Sequence, residues 1–308
     1  MITSVTLNPS VDRRYMLEKF EGGKIFRTSR FEATAGGKGL NVARVASSLG
    51  EKVFATGLLG GKSGEFIEQQ LKDSSIPHHF VKIKGETRSC IAILSDSGEQ
   101  TEILESGPTV TKEEITLFSD HYEALLNKSS IIVASGSILS GMPVTIYADM
   151  IHKAKEKHVP FLLDTSGVPL LEGIKASPTL IKPNLEELET IMNQSLSTER
   201  EIIQAGKILS QSGIEYVIVS LGGDGSIFIH QENVFRVRLP KVAVQNPVGS
   251  GDAMVAGFAI GLSKQKDLIQ TIKFASACGT ANAMEEGTGF LSKKLVGSLM
   301  NEIHIEQI

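Results

Sequence analysis

Asn246-Pro247-Val248-Gly249-Ser250-Gly251-Asp252 runs straight into the apolar stretch Ala253-Met254-Val255-Ala256-Gly257-Phe258. Two glycines before an apolar helix pattern allow successive backbone N–H groups to point one way, and the helix dipole adds partial positive charge at the same place. Such a nest suits phosphate oxygens or developing negative charge. Asp252 in the first turn is itself an anion and would repel that ligand. Its presence points to proton acceptance, with the nest holding a transferring group beside it. Read alone, the motif is more often a plain helix cap, since Asp in a first turn and Gly before a helix are ordinary loop chemistry. The reading sharpens only if the chain supplies a phosphate donor site, an acceptor site and their charges.

Three further groups supply them, each at the carboxyl end of an expected strand. Lys182-Pro183-Asn184-Leu185-Glu186-Glu187 opens a helix in which Asn184 and Glu187, three apart, share a face. That pair either caps the helix reciprocally or holds water-bridged magnesium beside nucleotide phosphates. Ser220-Leu221-Gly222-Gly223-Asp224-Gly225 is either a tight turn or a backbone cradle for donor phosphates. Gly36-Gly37-Lys38-Gly39 starts a helix with a cation, Asp12 stands past the first strand, and Arg88 opens a hairpin. Lone surface cations are usually only solvated; two of them among glycine turns and strand-end carboxylates could grip a phosphorylated polyol.

The elements that position these residues follow from periodicity. Residues 2–7 and 53–59 read as buried strands, 39–49 and 64–72 as helices. Residues 13–35, including Ile25-Phe26-Arg27, read as extended two-sided strands, and 87–94 with 100–104 as a hairpin around Ser95-Asp96-Ser97-Gly98. Together these predict a small antiparallel β lid formed by about 13–35 and 87–105. From 111 onward the patterns alternate: helix 111–127, strand 130–135, helix 143–157, strands 160–164 and 179–182, helices 184–193 and 198–212, strand 216–220, a hairpin at 226–237, then helices 251–264, 267–285 and 292–302. Alternation of this kind predicts an α/β fold, a central mostly parallel sheet sandwiched by helices, in one domain spanning 1–308.

Composition narrows the function classes. Hydrophobic content of 41%, charged content of 21% and net charge −4 are those of a globular chain without the basic excess that nucleic acid or a membrane surface requires. Cys90 and Cys278, the two cysteines, stand far apart and form neither a disulfide framework nor a metal cluster, which fits a cytoplasmic location. No apolar run reaches membrane-spanning length and no secretory signal opens the chain. The P-loop pattern fails because position 56, six before Lys62, is threonine, and G-x-G-x-x-G is absent, so a dinucleotide site is disfavoured.

Ala35-Gly36-Gly37-Lys38-Gly39-Leu40-Asn41-Val42-Ala43, the N-x-x-E of Asn184 to Glu187 and Asn246 to Asp252, in this order, carry a resemblance. The chain resembles the ribokinase-like carbohydrate kinases of the PfkB family over essentially its whole length. Thr6-Leu7-Asn8-Pro9-Ser10-Val11-Asp12, Gly85-Glu86-Thr87-Arg88 and Thr101-Glu102-Ile103 are similar to the branch acting on ketohexose phosphates, which holds tagatose-6-phosphate kinases and 1-phosphofructokinases. The run from Gly85 to Leu94 looks closer to the former. The resemblance implies an ATP- and Mg2+-dependent kinase converting tagatose 6-phosphate to the 1,6-bisphosphate, with fructose 1-phosphate as the alternative substrate and a non-catalytic sugar-phosphate sensor as a more distant reading. It implies Asp252 as base and the N–H groups of Gly249, Ser250 and Gly251 around the phosphoryl group. Asp12, Gly36, Gly37, Lys38, Asn41 and Ser137 would meet the sugar and Arg88 its phosphate, with Arg27 and Lys24 assisting from the lid. Lys182, Asn184, Glu187, Ser220, Gly222, Gly225 and Asn282 would face the nucleotide, Asn184 and Glu187 also the metal. Exposed lid strands suggest a homodimer by edge pairing.

Overall fold

The computed structural model describes residues 1–97 and 99–308; Gly98, named in the expected hairpin turn, lies outside the described residues. The chain starts as a buried strand, β1 (Ile2–Thr6), and continues into β2 (Ser10–Leu17), which is followed by β3 (Phe31–Gly36), α1 (Lys38–Ser48), β4 (Val53–Leu59), α2 (Gly61–Asp73) and β5 (His78–Lys82). A second excursion, β6 (Arg88–Ser95) and β7 (Gln100–Leu104), precedes α3 (Lys112–Leu126) and β8 (Ile131–Ser135). Alternation then resumes with α4 (Ile146–Glu156), β9 (Phe161–Asp164), α5 (Gly167–Lys175), β10 (Leu180–Ile181), α6 (Leu185–Met192), α7 (Glu199–Gln211) and β11 (Tyr216–Ser220). The hairpin β12 (Ser226–His230) and β13 (Asn233–Arg238) leads to α8 (Ser250–Ser263), α9 (Leu268–Ala283), α10 (Lys293–Leu299) and β14 (His304–Gln307).

The large sheet has the order β14-β13-β12-β11-β10-β9-β8-β1-β4-β5. Strands from β5 to β11 pair in parallel, while β12, β13 and β14 close one edge antiparallel. Side chains alternate between two cores. Ile2, Leu162 and Ile218 pack with α1, α8 and α9 on one face, and Val5, Leu163 and Val219 with α3, α4 and α7 on the other. The order reverses direction at β1, which lies between β4 and β8. Ligands in open α/β sheets bind outside the strand carboxyl ends at such a switch point.

The small sheet has the order β3-β2-β6-β7. Its hairpin-like pairs β2/β3 and β6/β7 are antiparallel, but the central pair β2/β6 is parallel, with Ser10 opposite Arg88 and Leu17 opposite Ser95. The reason is topological: β2 and β6 both leave the large sheet outward, and only β3 and β7 return.

Three elements escape the sequence pattern. β5 carries little apolar residue content beyond Phe80 and Val81; α5 contains Gly167 and Pro169, which read as loop; β14 is a polar edge strand. Conversely, residues 18–30, where Ile25-Phe26-Arg27 suggested a strand, contain none. Ile25 is 86% exposed there, so its apolar character reports no buried face. Strand 179–182 shrinks to the two-residue β10.

Candidate active site

The carboxyl ends of β1, β8, β9 and β10 and the start of α8 converge under the small sheet on a cleft of about 530 Å3. Its lining brings together Asp12, Gly37, Lys38, Asn41, Arg88, Ser137, Lys182, Gly249, Gly251 and Asp252, residues from across the whole sequence. Gly36 backs this wall: Asp12's carboxyl lies where a β-carbon at Gly36 would stand, 2.0 Å from the nearest atom, so only glycine admits it.

At the α8 end, Gly249 takes the left-handed conformation (φ 81°) and caps α8 without a side-chain bond. Ser250 N–H is turned away, donating to the Pro247 carbonyl at 3.2 Å. Among the described residues no protein acceptor takes the N–H groups of Gly249, Gly251 or Asp252. The nest is therefore Gly249, Gly251 and Asp252, and Ser250 drops out of the expected set because its amide closes the turn that shapes the nest. Asp252 is 5% exposed, and Asn41 Nδ2 donates to its Oδ2 at 2.8 Å. Burial, then the nearby charge of Asp164, pushes its carboxyl up to about 6, against the opposing pull of Lys38, Asn41 and Lys182.

Asp164, at the end of β9, has a side chain 1% exposed and lies 3.5 Å from Lys38 Nζ and 3.6 Å from Lys182 Nζ. Burial alone would raise it, yet Lys182 and Lys38 outweigh burial and hold it below the usual carboxylate range. Asp164 in turn holds the Lys38 ammonium well above its ordinary value. Lys38 thus belongs with Asp164, Asp252 and Glu187, at the α8 end of the cleft. Sequence reasoning missed Asp164, although a carboxylate ending a buried strand is the same signal that picks out Asp12. It also missed Arg44. That guanidinium in the apolar face of α1 donates to Asn41 Oδ1 at 3.0 Å, the Thr288 carbonyl at 2.6 Å and the Ala35 carbonyl, fixing the amide that bonds Asp252.

At the opposite end, Ser10 Oγ donates to Asp12 Oδ1 at 2.6 Å, and burial raises the Asp12 carboxyl despite this bond and Arg88. Arg88 donates to the Glu105 carbonyl at 2.9 Å and the Asn8 carbonyl at 3.1 Å, and its Nε is buried without a partner. Two of five guanidinium N–H groups are used, leaving enough for a bidentate phosphate contact. Asn8 ties the seam together, donating to the Ser106 carbonyl at 3.0 Å and Ser137 Oγ at 3.1 Å.

The nucleotide-side residues are placed less uniformly. Asn184 and Glu187 form a reciprocal capping box, at 2.8 and 2.9 Å, on a second cavity of about 330 Å3 shared with Ser166 and Thr190. Ser220 N–H donates to the Pro183 carbonyl at 3.0 Å, which brings this segment against the turn after β11. Gly222 and Gly225 shape that turn, which Arg236 holds from beneath through the Asp224 carbonyl at 2.9 Å. Ser220, Gly222 and Gly225 line neither cavity. Asn282, expected at the adenine, is fully buried instead. Its amide donates to the Val248 carbonyl at 2.9 Å and accepts from Gly289 N–H at 2.8 Å, so it braces the nest from behind. Arg27 and Lys24 are exposed outside the cleft of their own chain.

Comparison with known proteins finds relatives in both sequence and fold. The family described as pfkB family carbohydrate kinase matches residues 5–295. A tagatose-6-phosphate kinase of Staphylococcus epidermidis is 42% identical over 313 aligned positions covering all of both chains. Among solved structures, phosphofructokinase-2 from Escherichia coli in complex with substrates and products superposes with a TM-score of 0.91 at 28% identity over 98% of each chain. A possible 1-phosphofructokinase from Thermotoga maritima gives 0.92 at 26% identity over 100% of this chain and 99% of the other.

Proposed function

The chain belongs to the pfkB family of carbohydrate kinases, and we propose that it transfers the terminal phosphoryl group of ATP to tagatose 6-phosphate, giving tagatose 1,6-bisphosphate. The observation that carries this reading is the placement of a buried carboxylate of raised basicity beside three unspent N–H groups, with a partly unspent arginine at the other end of one cleft. A ketohexose phosphate anchored by Arg88 and oriented by Asp12, Asn41 and Ser137 would present its primary hydroxyl to Asp252. Asp252 takes the hydroxyl proton as the oxygen bonds to phosphorus and the bond to the ADP leaving oxygen breaks. The N–H groups of Gly249, Gly251 and Asp252, with Lys38 and Lys182, hold the charge on the moving phosphoryl group. Positioning and charge compensation of this kind supply most of the acceleration in phosphoryl transfer.

Magnesium fits the nucleotide side. No cluster of three or more His, Cys, Asp or Glu able to cage a metal exists among the described residues. One carboxylate and one amide, Glu187 and Asn184, suit a cation that keeps its waters and binds mainly through substrate phosphates. It would neutralise phosphate charge there; Lys182 and the Ser220–Gly225 turn would flank the nucleotide.

Fructose 1-phosphate is the second reading, supported by the Thermotoga maritima likeness. A sugar-phosphate sensor is disfavoured, because a binder needs no buried base. We further propose a homodimer formed through the small sheet, whose edge residues Phe31, Ile103 and Leu104 are 61%, 55% and 62% exposed, and a cytoplasmic location that fits two free buried thiols. Initial rates with magnesium-ATP on tagatose 6-phosphate, fructose 1-phosphate, fructose 6-phosphate and fructose test the substrate. A kcat/KM highest for tagatose 6-phosphate is expected. Preference for fructose 1-phosphate would move the substrate and keep the mechanism, whereas turnover of fructose alone would remove Arg88 from the phosphate site.

A further inference from the structure

Four charged groups meet at the transfer end: Asp164 behind β9, Asp252 in α8, Lys38 in α1 and Lys182 behind β10. Asp164, Asp252 and Lys182 are buried and the Lys38 side chain is 43% exposed, so which carboxylate the ammonium groups choose decides which of the two buried acids stays ionised and which one holds a proton. Both lysines choose Asp164, at 3.5 and 3.6 Å, and neither comes within 4.0 Å of Asp252 among the described residues. Asp252 is left with the neutral Asn41 amide. The second oxygen of Asp164, Oδ2, is buried with no hydrogen-bond partner, so the two lysines are the whole compensation of its charge. Lys182 is also placed against the nest. A β-carbon built on Gly251 would fall 3.0 Å from its Nζ.

We propose that Asp164 is a positioning residue of the transfer reaction: it holds the ammonium groups of Lys38 and Lys182 over the glycine nest and off Asp252, so that arriving phosphoryl charge meets the lysines while Asp252 remains free to take the proton. The inference rests on the reading of Asp252 as the base. Without Asp164 the carboxylate that acts on both lysines is Asp252, since Glu187, which also acts on Lys38, is engaged in its capping box with Asn184. Both the lost negative neighbour and the new ion pairs then act in one direction, making Asp252 a stronger acid and a poorer base. Arg44, which also acts on Asp252 from α1, is held by three acceptors of its own and stays where it is.

Two variants of the full chain, Asp164→Asn and Asp164→Glu, test this with two readouts. The first is the pH profile of kcat/KM with magnesium-ATP and tagatose 6-phosphate, whose acid limb reports the base of the free enzyme. The second is a carbon-13 NMR titration of the Asp252 carboxyl in the ligand-free protein, assigned by its loss in Asp252→Asn. Asp164→Asn is expected to lower kcat at least about tenfold and to move both the acid limb and the NMR midpoint about one unit or more to lower pH. Asp164→Glu keeps the charge and displaces the lysines, so kcat falls at least about threefold, a fraction of the whole base contribution, while the limb stays. An Asp164 acting through its charge alone would move both midpoints in Asp164→Asn but leave Asp164→Glu at wild-type kcat, and a purely structural one would lower kcat only in step with the folded fraction; either result overturns the proposal. Should Asp164→Asn fail to fold, Asp164→Glu with wild-type kcat overturns it as well. A wild-type protein that phosphorylates none of the sugars sinks the functional reading alone, and the NMR titration still decides the role of Asp164.

Discussion

At the floor of the cleft Asp164, Asp252, Asn41 and Lys182 are between 2% and 7% exposed, whereas every residue of β7 in the small sheet above is exposed. The floor is closed by two helix-packed cores and by side chains with several partners each: Arg44 holds Asn41, Asn41 holds Asp252, Asn282 holds the loop before Gly249. The small sheet packs on α2 through β2 and β3 and is joined to the floor through contacts such as Arg88 to Asn8 and Arg14 to the Glu286 carbonyl at 2.6 Å. On the proposed function, the difference would leave the chemistry to the buried part with several partners per side chain and recognition of the sugar phosphate to the exposed sheet. Floor substitutions should therefore act on kcat and lid substitutions on KM or on association.

Asp252→Asn is the strongest way to break that division. It keeps the shape and the Asn41 contact and removes proton acceptance, so kcat should fall by about 10²–10⁴ with nucleotide affinity little changed. Stability moves the other way. The folded-state carboxyl titrates at about 6, above the ordinary 3.8, so the native state holds its proton more firmly than the unfolded chain. Stability from this group is therefore full at low pH and declines as pH rises through that window. Asp252→Asn should raise the thermal midpoint by roughly 2–5 °C above the window and by little below it, measured by calorimetry at both pH values. A near-normal rate would remove Asp252 as base; an unchanged midpoint at high pH would mean its charge is better compensated than its surroundings indicate.

Arg88→Ala sharpens the comparison at the seam. Loss of a charge-assisted bidentate contact should raise the KM for the sugar phosphate about 10–100-fold, with kcat changing far less. Steady-state kinetics against tagatose 6-phosphate and unphosphorylated tagatose separate the cases, since the penalty should vanish for the sugar lacking the phosphate. An equal loss in kcat would place the small sheet in the transition state and erase the division.

How much of this was legible in the sequence depends on how locally each signal is written. Alternating helix and strand patterns predicted the parallel sheet, and glycine motifs marked the nest at Gly249 and the wall at Gly37, because both are short-range requirements of backbone shape. The parallel pairing of β2 with β6 was not legible, since it arises from two excursions more than 70 residues apart leaving one sheet side by side. Asp164 and Arg44 were passed over because one ends a strand and the other interrupts an apolar helix face without a motif around it; their meaning lies in partners 126 and 244 residues away. Asn184 and Glu187 show the reverse case, where a local pattern fits two roles at once and the capping role is visibly fulfilled.

The smallest kinetic effect is expected at the edge of the small sheet. Phe31 on β3 and Ile103 and Leu104 on β7 present apolar surface beside unpaired strand edges, a combination that solitary proteins blunt with charge or cover with a partner. Tyr15 stacks on Phe31 at 6.2 Å between ring centroids, so part of that surface is already ordered for packing. The doubly substituted chain Phe31→Lys, Leu104→Lys should run at monomer mass in light scattering where the unsubstituted protein runs at twice that mass. Because neither side chain belongs to the floor, kcat should stay within about threefold, and any loss should fall on KM for the sugar phosphate. An unsubstituted protein that is already monomeric would remove the dimer and leave the cleft as described. A dimer that survives both lysines would move the interface elsewhere, and a monomer with lost kcat would show that the floor depends on a lid held from outside.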